Sequence, residues 1–373
     1  MYLTFFKEKQ QVNRLTSTDY TLDDVFAGVE FNEPVTEILD RKSFETKTVI
    51  TSAPPRSYNK DNMDKILEKL QELTTSFTPA TLANNYNTFY IPKRTGGVRE
   101  INAPKEELME VLKEMKNIFQ YNLKVLYHNA AHAYVPSRSI VNALKVHQKN
   151  NSRWFLKLDI KDFFPNCSQE FVVKSLRKIY PFAMWTEQEL NSFIWICFRN
   201  DALPQGTPMS PMLTNLIMIP IDYALQNYAY ENKLVYTRYA DDILISAHNH
   251  FDWRKVIESI NTVFTTLQTP FQIKAEKTRY GSSAGRNWNL GLMLNKDNNI
   301  TVGYRNKKNY KAMINNLMIA ESSAHFWDSP EIQHFQGITA YYLSVEPEYF
   351  KPLIKKYEEM YNLTLKEIYK RAL

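Results

Sequence analysis

The stretch KLVYTRYADDILISA, residues 233–247, decides how this chain is read. Leu234, Val235, Tyr236 and Tyr239 precede two adjacent carboxylates, Asp241 and Asp242, and Ile243, Leu244 and Ile245 follow them. Aromatic and β-branched residues on both sides predict two strands, with the acidic pair at a tight turn between them. Burying two carboxylates without a partner is costly. A hairpin tip carrying both is simply explained as a platform for divalent cations; a solvated turn is the bland alternative.

A third carboxylate strengthens the first reading. In RWFLKLDIKDFF, residues 153–164, Trp154, Phe155, Leu156 and Leu158 lead into Asp159, a strand that ends on an acidic residue. A strand Asp together with a hairpin Asp-Asp can hold two Mg2+ ions, hard cations that take oxygen ligands and complete their shells with substrate phosphates. Two ions about 3.5–4 Å apart can clamp the attacking and leaving oxygens of an in-line displacement.

Composition sets the frame. With 373 residues and 44% hydrophobic content, the chain can bury a sizeable core, as one body with appendages or as two or three domains. The net charge of +6 is a mild bias toward a polyanionic partner. The 23 Tyr and 21 Phe suit base and sugar stacking, and equally suit core packing. Two cysteines, Cys167 and Cys197, give neither a disulfide framework nor a zinc pattern, so a reducing, cytoplasmic setting is expected. MYLTFFKEKQ at the start does not read as a secretory signal, and no apolar run approaches membrane-spanning length, so no membrane partner is expected.

Along the chain, residues 1–75 read as a mostly helical extension with a break at Ala53-Pro54-Pro55-Arg56 and no assignable chemistry. Phe89, Tyr90 and Ile91 lead to a Gly96-Gly97 turn and a returning strand from Val98 to Ile101. This hairpin carries Lys93, Arg94 and Arg99; it could lie over a nucleotide triphosphate, which Arg meets with a planar fork, or be a solubilised surface hairpin. Pro104 opens a helix with Leu108, Val111, Leu112, Met115 and Ile118 at helical spacing. The polar stretch 128–154 holds His128, His132 and His147, whose spacing is not a zinc set. With Arg138, Lys145 and Lys149 they form either a nucleic-acid surface or helix caps and satisfied core groups.

Pro204, Gly206 and Pro208 make a rigid bend, and an apolar helix follows from Ser210-Pro211. Gln205 in the bend is available to a nucleotide or template, or is only part of the turn. Residues 251–271 read as an amphipathic helix; Lys277 beyond it could approach a phosphate or be a surface lysine. A short hairpin turns at Asn298-Asn299. From 304 the chain is helical and basic at its start, at Arg305, Lys307, Lys308 and Lys311, which suits a grip on duplex phosphates. The aromatics of this tail, Phe335, Phe350, Tyr357 and Tyr361, read as core before they read as stacking platforms.

TGGVREINAP, LDIKDFF, QGTPMSP, YADD and NLGLML, in that order, resemble the ordered blocks of a prokaryotic reverse transcriptase over roughly residues 85–345, with Asp241 lying 82 positions after Asp159. The resemblance implies an α+β right-hand polymerase: fingers and a palm of antiparallel sheet backed by helices over 76–303, a small helical thumb over 304–373, and an N-terminal extension over 1–75. It implies an RNA-directed DNA polymerase that uses two Mg2+ ions and dNTPs. Asp159 and Asp241 then look like the principal metal ligands and Asp242 completes the carboxylate group. Phe164 resembles the steric gate against a ribonucleotide 2′-OH, and Arg99 the triphosphate contact. Gln205, Gly206 and Tyr239 resemble template and nucleotide contacts. Lys277 would orient phosphates or protonate pyrophosphate. Leu290 and Gly291 resemble the primer grip, and Arg138, Lys145, His147, Arg305, Lys307 and Lys308 stand where RNA would be held.

Within that family the chain looks most like the retron reverse transcriptases. This implies a dedicated structured non-coding RNA as template and primer, priming from an internal 2′-OH, a branched RNA-linked DNA product, and an accompanying antiphage effector protein. Two departures stand out. Three residues separate Ala143 from His147 where the retron pattern has two, and Asn289-Leu290-Gly291 stands where retrons commonly carry Val-Thr-Gly. They keep open other defence-associated reverse transcriptases, protein-primed or differently templated. An inactive RNA-binding scaffold is a third reading, which the intact acidic set disfavours.

Overall fold

The predicted acidic hairpin exists, and its strands belong to a four-stranded sheet. The computed structural model describes residues 59–93, 96–283 and 291–371; the expectations placed on residues 1–58, Arg94 and Leu290 lie outside them. In chain order the elements begin with α1 (Lys60–Glu72), α2 (Pro79–Leu82), β1 (Tyr86–Pro92), β2 (Val98–Pro104), α3 (Glu106–Asn117), α4 (Ile140–Lys149) and β3 (Trp154–Asp159). Next come α5 (Gln169–Leu176), α6 (Glu187–Ile194), α7 (Met209–Ile217), α8 (Ile219–Glu231), β4 (Val235–Tyr239), β5 (Asp242–Ala247), α9 (Trp253–Thr266) and β6 (Arg279–Ser282). The last are β7 (Met293–Leu294), β8 (Ile300–Thr301), α10 (Tyr304–Ser322), α11 (Ser329–Val345), α12 (Pro347–Tyr361) and α13 (Leu365–Arg371). The fold is α+β.

The sheet order is β4-β5-β3-β6, and β1-β2 and β7-β8 form separate two-stranded sheets. The chain divides into two compact units. The first takes residues up to Ser139 with Leu156–Ile245 and Phe251–Arg279; the second takes Ile140–Phe155, Ser246–His250 and the residues from Tyr280 on.

In the first unit, Ile243, Leu244 and Ile245 are buried in succession, so β5 is apolar on both faces and needs cover on both, while Leu156 and Leu158 give β3 one apolar face. α7 supplies a central helix: every residue of Met209–Ile217 except Pro211 is buried, and its polar members Ser210, Thr214 and Asn215 are hydrogen-bonded inside. α9 is the opposite case. Val256, Ile260, Val263 and Phe264 make one buried stripe, and Asp252 caps the helix by accepting from the Arg254 and Lys255 N–H groups. α3 buries Leu108, Leu112 and Met115, close to the expected set. The β1–β2 hairpin pairs Ile91 with Arg99 and Pro92 with Val98, and it leaves Phe89, Tyr90, Ile91 and Val98 about half exposed.

In the second unit, α10, α11 and α12 close on an aromatic core. Tyr310 stacks on Phe335 with ring centroids 5.4 Å apart and meets Phe350 edge-on at 5.1 Å. The Tyr310 hydroxyl is satisfied by Thr339 at 3.0 Å. Phe335 and Phe350 are therefore core, and truncating either to Ala would cost about 3–5 kcal/mol, whereas Tyr357 and Tyr361 are only half-buried. The β7–β8 turn is clamped to the end of α4. Gln148 Nε2 donates to the Asn298 carbonyl at 2.7 Å, and Asn298 Nδ2 donates back to the Gln148 carbonyl at 2.8 Å.

Candidate active site

Asp159 is the last residue of β3 and Asp242 the first of β5, and these strands are neighbours. The Ile160 N–H donates to the Asp241 carbonyl at 2.9 Å, so the end of β3 lies against the tip of the hairpin. Ala240 and Asp241 form the two-residue turn, with Ala240 at φ +58°. Two-residue hairpins need positive φ; in a residue with a Cβ that conformation costs about 1–2 kcal/mol. The turn holds Asp241 within the electrostatic reach of the other two carboxylates.

The charges are unevenly compensated. Lys277 Nζ donates to Asp159 Oδ2 at 2.7 Å, and Lys157 Nζ donates to Asp242 Oδ2 at 2.8 Å. Among the described residues no lysine donates to Asp241 in this way. Burial, then Asp242, then Asp159 push its carboxyl up to about 6, against weaker opposition from a backbone hydrogen bond and Lys277. Burial pulls the Lys277 ammonium down, but Asp159, Asp241 and Asp242 outweigh it and hold the group above its ordinary value. Among the described residues no group of three or more His, Cys, Asp or Glu side chains is already arranged around a metal position. The donor chemistry nevertheless fits a hard divalent cation. The acidic side chains offer oxygen only, and the charge cost concentrated on Asp241 is what such a cation relieves.

The first unit also holds other expected groups. Phe164 is half-buried against Phe163 at 5.6 Å, and Phe163 packs on Phe271 at 5.3 Å, which fixes the loop after β3. Gly206 has φ +111°, and a Cβ there would stand 2.9 Å from Ile101 Cγ2 and 3.1 Å from the Asn102 carbonyl. The glycine lets the 204–208 bend approach β2, where the Asn102 N–H donates to the Gln205 carbonyl at 2.7 Å. Arg99 is exposed on β2, and Tyr239 is half-buried at the end of β4. In the second unit Gly291 has φ +104°.

Sequence reasoning missed two residues of this region. Lys157 lies two residues before Asp159 and so on the same strand face; a lysine inside an otherwise apolar strand was the available signal. Tyr134 is 57% exposed at φ +58°. Desolvation raises its hydroxyl, Asp241 and Tyr239 add to the rise, and Arg99 opposes it, so the group sits in the field of both Asp241 and Arg99. Its stretch has no periodicity that would have singled it out.

The residues expected to hold RNA divide. Arg138 Nη1 donates to the carbonyls of His128 at 2.6 Å and Ala131 at 2.7 Å, stapling its own loop. His147 is fully buried, with Nδ1 2.6 Å from Ser246 Oγ, and burial pushes it down to about 3, so it is a neutral core group rather than a surface cation. Lys145, Arg305 and Lys308 are exposed. Lys307 is tied inward, to Glu346 at 2.7 Å and over the Tyr349 ring at 4.2 Å.

Comparison with known proteins places the chain in a family. Residues 91–312, more than half the chain, match the family model described as reverse transcriptase (RNA-dependent DNA polymerase). The chain is 28% identical over 298 residues to the retron Ec83 reverse transcriptase of Escherichia coli, covering 77% of this chain and 91% of that one. It is 29% identical over 277 residues to the retron Ec73 reverse transcriptase of the same organism, covering 72% and 85%. It is 30% identical over 295 residues to the retron Mx65 reverse transcriptase of Myxococcus xanthus, covering 74% and 65%. Among the described residues no helix is long and apolar enough to cross a membrane. A chain matched in this way over the strands that carry Asp159, Asp241 and Asp242, and similar to several retron enzymes, belongs to the reverse transcriptase family of RNA-dependent DNA polymerases and is a nucleotidyltransferase.

Proposed function

We propose that this chain copies a dedicated structured non-coding RNA into DNA, priming from an internal 2′-OH of that RNA and leaving branched RNA-linked DNA, within a retron antiphage defence system that includes an effector protein. The observation that carries the polymerase chemistry is the meeting of Asp159 with the Asp241-Asp242 tip at the ends of neighbouring strands, with Lys277 on Asp159. The retron assignment rests on similarity to retron enzymes. On this reading, residues 76–303 are fingers and palm, 304–373 the thumb and 1–75 an N-terminal extension.

Asp159, Asp241 and Asp242 would hold two Mg2+ ions, which when bound supply charge neutralisation for the triphosphate and a more acidic primer hydroxyl. The rest falls to the chain's own groups, because phosphoryl transfer asks mainly for positioning and electrostatic stabilisation. Lys277, firmly protonated, orients phosphate oxygens and can give a proton to departing pyrophosphate. Arg99 offers its fork to the triphosphate. The Phe164 ring fills the space of a 2′-OH and so admits dNTPs. Gln205, Gly206 and Tyr239 set the template and nucleotide, and Leu290 with Gly291 holds the primer end. Of the cations expected to hold RNA, Lys145, Arg305 and Lys308 are exposed and available to its phosphates.

Purifying the protein from its cells and sequencing the bound nucleic acid tests this. A single structured RNA joined 2′–5′ to DNA is the expected result. DNA bonded to a protein tyrosine would replace the retron reading with protein priming, the alternative that the Asn289-Leu290-Gly291 departure keeps in view.

A further inference from the structure

Arg238 lies on β4, three residues before Asp241, and its guanidinium is completely buried. Nε and Nη2 fork onto Asp222 of α8, at 2.8 Å to Oδ1 and 2.7 Å to Oδ2. The Tyr236 hydroxyl donates to the same Oδ1 at 2.7 Å. The remaining nitrogen, Nη1, donates in two directions: to the Ala240 carbonyl at 3.1 Å and to Asn215 Oδ1 at 3.1 Å. Asn215 passes the contact on, its Nδ2 donating to the Ala133 carbonyl at 2.8 Å. One cation thus ties down both the turn that presents Asp241 and the loop that presents Tyr134.

Stability is a poor explanation for such an arrangement. Well-packed hydrophobic residues commonly replace a buried ion pair at no loss of stability. What apolar side chains cannot reproduce is a directed donor held under a turn carbonyl. Ala240 has φ +58°, a conformation that a residue with a Cβ keeps only where its surroundings fix it. We propose that Arg238, oriented by Asp222 and Tyr236, is a positioning residue for catalysis. It sets the Ala240-Asp241 turn against the Ala133-Tyr134 loop, so that the Asp241 carboxylate meets the reacting phosphate in one geometry. The inference rests on the reading of Asp241 as a catalytic carboxylate.

The test is the full-length triple variant Asp222→Leu, Tyr236→Phe, Arg238→Met, which removes the charges and hydroxyl together and leaves no orphaned partner in the pair. Primer extension on a preformed primer–template is measured beside thermal unfolding, with Arg238→Lys and Asp241→Asn in the same assay. The expected result is a cooperative transition near the wild-type temperature and a kcat lowered about tenfold or more, with KM for dNTP and primer–template affinity within about twofold. Arg238→Lys, which can pair with Asp222 but cannot also fork to the turn, is expected to recover only part of kcat. A folded triple variant with wild-type kcat overturns the proposal, as does a loss carried by KM alone. Failure of the triple variant to unfold cooperatively also overturns it, because the network would then hold the core rather than the turn. If Asp241→Asn keeps its activity, the reading of the site fails instead.

Discussion

The burial of His147 makes the fold sensitive to acid. Its ring is fully buried on α4, paired with Ser246, whose hydroxyl donates to Ser152 Oγ at 2.7 Å, and it faces Phe155 with centroids 5.8 Å apart. Burial lowers its pKa from 6.5 to about 3. Above 6.5 the imidazole is neutral in both folded and unfolded chains and pH has no effect through it. Below 6.5 the unfolded chain takes up a proton that the folded one refuses. The stability contributed by this group is therefore full above 6.5 and lost as pH falls from there toward about 3. Each unit is worth about 1.4 kcal/mol, so the loss is about 2 kcal/mol at pH 5. Guanidinium unfolding of wild type and His147→Gln, near pH 7.5 and near pH 5, isolates the effect from carboxylates that titrate in both proteins. The variant is expected to start lower, because its amide fits the ring's site less well, but to lose about 2 kcal/mol less on acidification. Equal losses in the two proteins would refute the reasoning, as would a proton resonance of His147 titrating near 6.5 in the native state.

The acidic tip predicts the opposite dependence. Asp241 is raised from 3.8 to about 6, so the advantage of its protonated form is present below 3.8 and lost as pH rises through about 6. In EDTA at about pH 8, Asp241→Asn should be more stable than wild type by up to about 3 kcal/mol, a gap that narrows toward pH 4, while primer extension disappears. No gap in EDTA at either pH would show that the charge cost is absent. At Gly206, Ala would meet Ile101 and Asn102 at a φ of +111°, so Gly206→Ala should lose about 1–3 kcal/mol in unfolding experiments and raise KM for dNTP through displacement of β2. Wild-type stability together with wild-type KM would remove the close approach from the account.

The parts legible in the sequence were those that depend on neighbours along the chain. Two apolar runs around Ala240-Asp241 announce a hairpin, the Val256, Ile260, Val263 and Phe264 spacing announces a helix, and Gly206 among prolines announces a bend. His147 could not be placed this way. Its stretch is polar and rich in cations, and only the packing that buries Ala143 and Leu144 beside it shows which helix face is inside. Arg138 likewise reads as a surface charge until the carbonyls of its own loop are seen to converge on it.

The charge balance of the site was illegible for a stronger reason. Lys157 meets Asp242 across 85 positions and Lys277 meets Asp159 across 118. Both pairings depend on strand register, and a slip of one residue would turn Lys157 to the opposite face of β3. The same register decides how much positive charge remains to be supplied from outside. Two lysines face three carboxylates, and the shortfall falls on the turn residue that burial and both other carboxylates already disfavour as an anion. A fully compensated trio would have little reason to recruit a cation. A trio with no lysines would repel itself strongly enough to strain the turn. The geometry lies between these cases: the lysines make the folded tip tolerable, and the uncompensated charge on Asp241 leaves a demand that a divalent cation brought in with a nucleotide would meet.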